Sequence, residues 1–247
     1  MTTDEMIIAT CLKAGKIMVE NGSEISRVDD TMMRIAQNAG VVAANTYVTI
    51  TGVMMSIQGR NATQIAAVNQ RTIDLEKVAQ VNQLSREFAA TTIDLPTLYQ
   101  RLNQLDAASR SFPLWLQLIG AALVSGPLMI MFRQETINTW PTIIIGTVGY
   151  LGFYLLTRYL KIKFLSELTA ALLIGFSAEW VCQIGWGTKV NDIIIGALMP
   201  LVPGVPLTNA VRDTLAGNFV SGPARGVEAM LSAAALGFGI AVVITLF

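Results

Sequence analysis

The hydrophobic positions of this chain follow two patterns. From residue 112 onward they form long runs, roughly 112–132, 140–159, 164–184 and 227–247. A further run, fourth in chain order at 193–211, is interrupted by prolines over 200–206. Runs of about 18 or more apolar residues suit helices that cross a bilayer, because a helix satisfies its own backbone where no water is available. Before residue 110 the apolar positions instead recur at helical spacing. Ile7, Cys11, Ala14 and Met18 form one stripe, with Lys13, Lys16 and Glu20 on another face. Asn21-Gly22 ends that helix and Ser23 is placed to cap the next, whose stripe Ile25, Val28, Met32, Ile35, Ala39 stops at Gly40. The Thr-, Val- and Ile-rich segment 47–57 predicts a strand, which turns at 59–61 and pairs with 62–68. Thr72-Ile73-Asp74-Leu75 and Thr92-Ile93-Asp94-Leu95 each set an Asp at a helix start. Pro96 suits a first turn, and Leu95, Leu98, Leu102 and Leu105 form the last stripe. The expectation is an α-helical polytopic membrane protein: five transmembrane helices in 111–247, preceded by a small α+β cytoplasmic domain, 1–110, ordered helix, helix, strands, helix, helix.

Charge sharpens this division. Lys and Arg number 17, Asp and Glu 17, and only 14% of the chain is charged, against roughly 25% in a soluble domain. Zero net charge without a basic cluster speaks against nucleic acid. The chain has no histidine, which removes histidine-based triads, metal sites and proton relays. No cofactor or metal is expected. Cys11 and Cys182 lie in apolar surroundings and read as buried thiols. Trp115, Trp140, Trp180 and Trp186 fall near span ends, at headgroup level. An amino terminus in the cytoplasm puts Arg101, Arg110, Arg158, Lys161, Lys163, Arg212 and Arg225 inside and leaves Arg133 and Lys189 outside, with the carboxyl terminus extracytoplasmic. The first segment, interrupted by Lys13 and Lys16, does not read as a signal peptide. Helix 95–105 runs into the first span with almost no linker, so the domain is expected to pack on the membrane part.

Candidate chemistry concentrates in the interrupted run. Pro200, Pro203 and Pro206, with Gly204 between, exclude a continuous helix, since an interior proline costs about 3 kcal/mol. Unwound backbone at membrane depth persists where protein or a water-lined cavity satisfies it, as at transporter binding sites. A half-helix starting near Leu207 would direct its positive end there. Asn209 and Asp213 share one face of it, Thr208 and Arg212 the next. These residues either line a substrate path with Pro203, Gly204 and Pro206, or mark the cytoplasmic end of the span. Glu179 lies inside the third span, either facing the interior as a proton-coupling group, like Asp213, or snorkelling at the interface. Glu167, Asp192 and Glu228 read as boundary groups. Gly146, Gly149, Gly152, Ala233 and Gly237 let helices approach closely.

Three segments carry a family likeness: Gly22-Ser23-Glu24-Ile25-Ser26-Arg27-Val28-Asp29-Asp30-Thr31, the strand region 47–57, and Pro203-Gly204-Val205-Pro206-Leu207-Thr208-Asn209-Ala210-Val211-Arg212-Asp213 followed by Gly217-Asn218 and Ser221-Gly222. Together they resemble the threonine/serine exporter family over nearly the whole chain. The resemblance implies the larger subunit of the split form, which works with a separately encoded small membrane subunit, as in succinate export, and assembles as a homo- or hetero-oligomer in the lipid bilayer. The implied substrate is an amino acid or a dicarboxylate, exported across the cytoplasmic (inner) cell membrane with proton coupling. Gly22, Glu24 and Arg27 match the soluble-domain motif, where a helix-start salt bridge is the plainer account of Glu24 and Arg27. A regulatory, ligand-sensing subunit stays open, as does a membrane-anchored hydrolase, although no nucleophile elbow, metal cluster or phosphate loop is present in the sequence.

Overall fold

The computed structural model describes residues 3–59, 62–108, 112–160 and 162–247. Arg60 and Asn61 of the expected turn, Arg110 and Lys161 of the charge count, and the junction at 110–111 lie outside the described residues. Helix α1 (Thr3–Glu20) opens with Asp4 and Glu5, favoured by the positive end of the helix dipole. It is buried on most sides, through Ile7, Ile8, Cys11, Leu12, Ile17, Met18 and Val19, and forms the centre of a core. The Cys11 Sγ donates to the Met32 carbonyl, and burial pushes its thiol up to about 12.

Around α1 lie α2 (Ile25–Asn38), a sheet of β1 (Ala44–Val48), β2 (Gly52–Ile57) and β3 (Ala62–Ala67), then α3 (Leu75–Ala89) and α4 (Leu95–Ala107). The sheet is antiparallel in the order β1-β2-β3 and buries Val53, Met55 and Ile57 of its central strand. The segment 47–57 is therefore a hairpin, not a single strand. The Thr49 backbone N–H donates to the Gly52 carbonyl at 2.8 Å, and the Thr49 hydroxyl accepts from the Gly52 N–H at 3.1 Å. Those two bonds build the turn inside a stretch of strand-forming residues. Asp74 caps α3 by accepting from Lys77 N–H, and Asp94 caps α4 by accepting from Thr97 N–H. Lys13 of α1 pairs with Asp106 of α4.

The remaining helices are α5 (Leu114–Arg133), α6 (Thr139–Leu160), α7 (Lys163–Gln183), α8 (Val190–Leu198), α9 (Gly204–Leu215) and α10 (Ser221–Leu246). Among the described residues, α5, α6, α7 and α10 have the length and composition to cross a membrane, and α8 with α9 does so as a pair bent by 60°. All four tryptophans are exposed, and so are Leu123, Val148, Leu155, Phe238 and Ile244 on the helix faces. This is the surface of a polytopic helical membrane protein. The last span was expected from 227, but its helix starts at Ser221, because Pro223 falls in the first turn where its missing N–H is not needed.

The chain forms two compact units, one of Met1–Ser111 and Val205–Gly226, the other of Phe112–Gly204 and Val227–Phe247. Within the second, α8 runs antiparallel to α5. Asp192 pairs with Arg133, Gly196 lies against Met129 and Ser125, and Ala197 lies against Gly146. Ser125 and Gly146 are within about one turn of the middle of α5 and α6. Helix α8 therefore ends at half height in its bundle. A 3-10 turn, Met199–Leu201, follows; Val202 is extended, and α9 begins at Gly204. Pro200 sits in the 3-10 turn, Pro203 just before α9 and Pro206 in its first turn, so none of the three breaks an established helical bond.

Candidate functional site

The site starts from the end of α1. Gly22 adopts φ +87°, the left-handed conformation that glycine tolerates best. The Ser23 N–H reaches the Met18 carbonyl at 3.0 Å and the Gly22 N–H the Val19 carbonyl at 3.3 Å, the paired bonds of a Schellman turn. This turn leaves the Gly22 and Ser23 carbonyls facing outward and delivers the chain into α2 with Glu24 at the cap position. Ser23 does not cap α2, as its position had suggested, and Glu24 makes no side-chain cap bond either. The first N–H of α2 is satisfied from the other end of the sequence: Ile25 N–H donates to Asp213 Oδ1 at 2.9 Å.

The rest of α9 and the start of α10 complete the arrangement, all within the first compact unit. Asn209 Nδ2 donates to the Gly22 carbonyl at 2.8 Å. Arg225 Nη2 donates to the Ser23 carbonyl at 2.7 Å, and its Nη1 lies 3.1 Å from Asp213 Oδ2. Arg212 Nη1 pairs with Glu24 Oε1 at 2.5 Å, while Arg27 approaches the same oxygen only to 3.9 Å. Asp213 is wholly buried and Arg225 is 7% exposed. Each member of this buried ion pair also has one backbone partner, and losing either member strands a charge. Two further motif residues set the corner that brings α10 to α9. Gly217 turns the chain at φ +85°. A Cβ on Gly222 would stand 2.7 Å from the Thr214 backbone nitrogen.

The two motif segments thus meet: Gly22, Glu24 and Arg27 on one side, Asn209, Arg212 and Asp213 on the other. Asn209 and Asp213 share the buried face of α9, and Arg212 and Thr208 the exposed one, where Thr208 donates to its own helix at Val205. Pro203 is buried, Gly204 exposed and Pro206 half-buried at the start of α9, outside this cluster of bonds. Glu179 is half-buried near the end of α7. Arg225, which entered the sequence reading only as a topogenic charge, is a central member. Its signal was a lone guanidinium in the second turn of an apolar helix just after Ser221-Gly222. Two groups read as boundary residues are also buried: Asp192, paired with Arg133, and Glu167, 3% exposed.

Against known proteins, the sequence model of the ThrE family of threonine/serine exporters matches residues 9–247. A probable succinate transporter subunit, YjjP, of Escherichia coli is 22% identical over all of this chain and 98% of its own length. Its counterpart in Klebsiella aerogenes is 20% identical over 96% of this chain and 92% of its own. A probable threonine/serine exporter of Mycobacterium tuberculosis is 20% identical over 95% of this chain, which spans 45% of that protein. No solved structure matches the chain significantly. By extent of match and by the kinds of relative it aligns with, the chain belongs to the threonine/serine exporter family.

Proposed function

We propose that this chain is the larger subunit of a secondary exporter. It carries threonine, serine or succinate out across the cytoplasmic membrane, is driven by protons, and works with a second, small membrane subunit. Family membership supports the exporter class, and relatives named as transporter subunits that align nearly end to end support a separate partner. The carrying observation is the half-height end of α8, because backbone that stops being helical at membrane depth needs a polar lining.

Helix direction supports a fifth crossing. Lys163 of α7 pairs with Glu228 of α10, Gly239 lies against Leu168 and Ala171, and Gly175 lies against Val243, so α7 and α10 run parallel. A chain leaving the far end of α7 must return to the near end before α10 starts, and only the bent pair α8 and α9 lies between. The near end carries Lys163 and Arg158. With a fifth crossing Arg212 and Arg225 join them on that side, against Arg133 and Lys189 at the far end. That asymmetry supports a cytoplasmic amino terminus and an extracytoplasmic carboxyl terminus.

The substrate path in this reading runs along the break, past Pro203, Gly204, Pro206 and Thr208, to Arg212. All three candidate substrates carry a carboxylate, and the Arg212 side chain is 65% exposed with Glu24 as its paired anion. A substrate carboxylate competes with Glu24 for this guanidinium, while Asn209 and Asp213 hold α9 to the 22–25 turn, so occupancy is communicated between them. The test is efflux of labelled succinate, threonine and serine from vesicles holding the chain and its small partner. Arg212→Ala is expected to abolish efflux and Arg212→Lys to weaken it. Unchanged efflux in Arg212→Ala removes the path assignment. Equal efflux from vesicles with the partner alone makes this chain a regulator.

A further inference from the structure

A carboxyl group lies sealed between α7 and α10 with nothing in the family match to explain it. Glu167 is 3% exposed, one turn beyond Lys163, and its Oε2 is fully buried without a hydrogen bond. Ser232 faces it from α10; it is wholly buried, and its Oγ is also without a partner. The helices close tightly above this level, with Ala170 and Ala171 buried and Gly239 against Ala171. The charged groups that face Glu167 are Lys163 on its own helix and Glu228 on α10, and these two pair with each other at 3.1 Å.

Resting on the exporter reading above, we propose that Glu167 is the proton-carrying residue of the membrane unit, with the Ser232 hydroxyl as its switchable neighbour. A hydroxyl both donates and accepts. Turned one way, Ser232 donates to the Glu167 carboxylate; turned the other, it accepts from the Glu167 carboxylic acid. Both protonation states are thereby accommodated without moving a helix. Asp213 instead faces two fixed donors, the Ile25 N–H on Oδ1 and Arg225 Nη1 at 3.1 Å from Oδ2. Glu167 also lies one turn from the Lys163–Glu228 pair, which is itself partly open to solvent. In the cycle the carboxylate takes one proton from hydronium on one side of the membrane, the Glu167 O–H forming as a hydronium O–H breaks, and yields it to water on the other side, where hydronium re-forms.

Two measurements on the full chain in lipid test this. Infrared difference spectra between acid and alkaline buffer are expected to show a buried carboxylic-acid carbonyl band that disappears in Glu167→Gln. Spectra identical in the two proteins overturn the proposal, whether or not transport has been found. In vesicles with the small partner, Glu167→Gln is expected to lose efflux driven by a pH gradient while retaining exchange of labelled for unlabelled substrate at equal pH. Ser232→Ala is expected to slow the driven mode and spare exchange. Loss of both modes in Glu167→Gln, unchanged driven efflux, or wild-type efflux that follows a sodium gradient and ignores pH each overturn it. Wild-type vesicles that move none of succinate, threonine and serine refute the exporter reading instead, and the spectra still decide Glu167.

Discussion

Asp213 and Arg225 illustrate how a charge can serve structure in a chain with few charges. Their pair is sealed from water, and each has a second, backbone partner, Ile25 N–H for Asp213 and the Ser23 carbonyl for Arg225. Removing one member leaves the other as an uncompensated buried charge, so Asp213→Ala or Arg225→Ala is expected to cost about 3–5 kcal/mol. Replacing both with apolar residues should cost less than the two single losses added together. Arg212 differs in kind, because its own side chain is 65% exposed although Glu24 is only 20% exposed, and Arg212→Ala should cost about 1 kcal/mol. Thermal unfolding of the detergent-solubilised chain measures all of these. Destabilisation by Arg212→Ala as large as that by Asp213→Ala would remove the division between a structural clamp and an open binding charge.

At the level of elements, α1, α2 and α4 were readable because each buries a stripe at helical spacing, the later helices because they are long apolar runs, and two starts because Asp74 and Asp94 act on neighbours three residues ahead. What failed was whatever depended on distant chain. Ser23 was the local choice to cap α2, yet the acceptor for Ile25 is a carboxylate 188 residues away, which no window of sequence reveals. The hairpin inside 47–57 was hidden for the opposite reason: its turn, closed by bonds between Thr49 and Gly52, runs through Thr49, Ile50 and Thr51, residues whose propensity is for strand. In the candidate site, polarity picked out Asn209, Arg212 and Asp213 but gave no hint that they contact the 22–25 turn. The proline-rich break was legible because its cause is local. Replacing Pro200, Pro203 and Pro206 together by Ala lifts an obstacle of about 3 kcal/mol per interior position and is expected to let α8 and α9 merge. Circular dichroism should then show higher helix content, and vesicle efflux of all three substrates should cease. Efflux that persists with raised helicity would show that the break is not part of the path.

For the whole molecule, a crossing by the bent pair is the proposal that the parallel course of α7 and α10 supports. If the bent pair crosses, the α9–α10 corner must share a side with α4, and the loop between α7 and α8 must lie on the other. If the pair instead entered and left on one side, the α7–α8 loop and the α9–α10 corner would share a side, and α7 and α10 would run antiparallel. Cysteine labelling in intact cells separates the two arrangements. Cys11 is wholly buried and its thiol is pushed up to about 12, so almost no thiolate exists at neutral pH and it stays silent; Cys182→Ser removes the other native thiol. In that background, single replacements at exposed positions, Gln100→Cys in α4, Ala216→Cys at the corner, Trp186→Cys in the α7–α8 loop and Phe247→Cys at the end, report on each side. A membrane-impermeant maleimide is expected to label positions 186 and 247 directly and positions 100 and 216 only after the membrane is opened. Labelling of 186 and 216 from the same side would reduce the crossings from five to four, and the half-height end of α8 would then be the tip of a re-entrant hairpin.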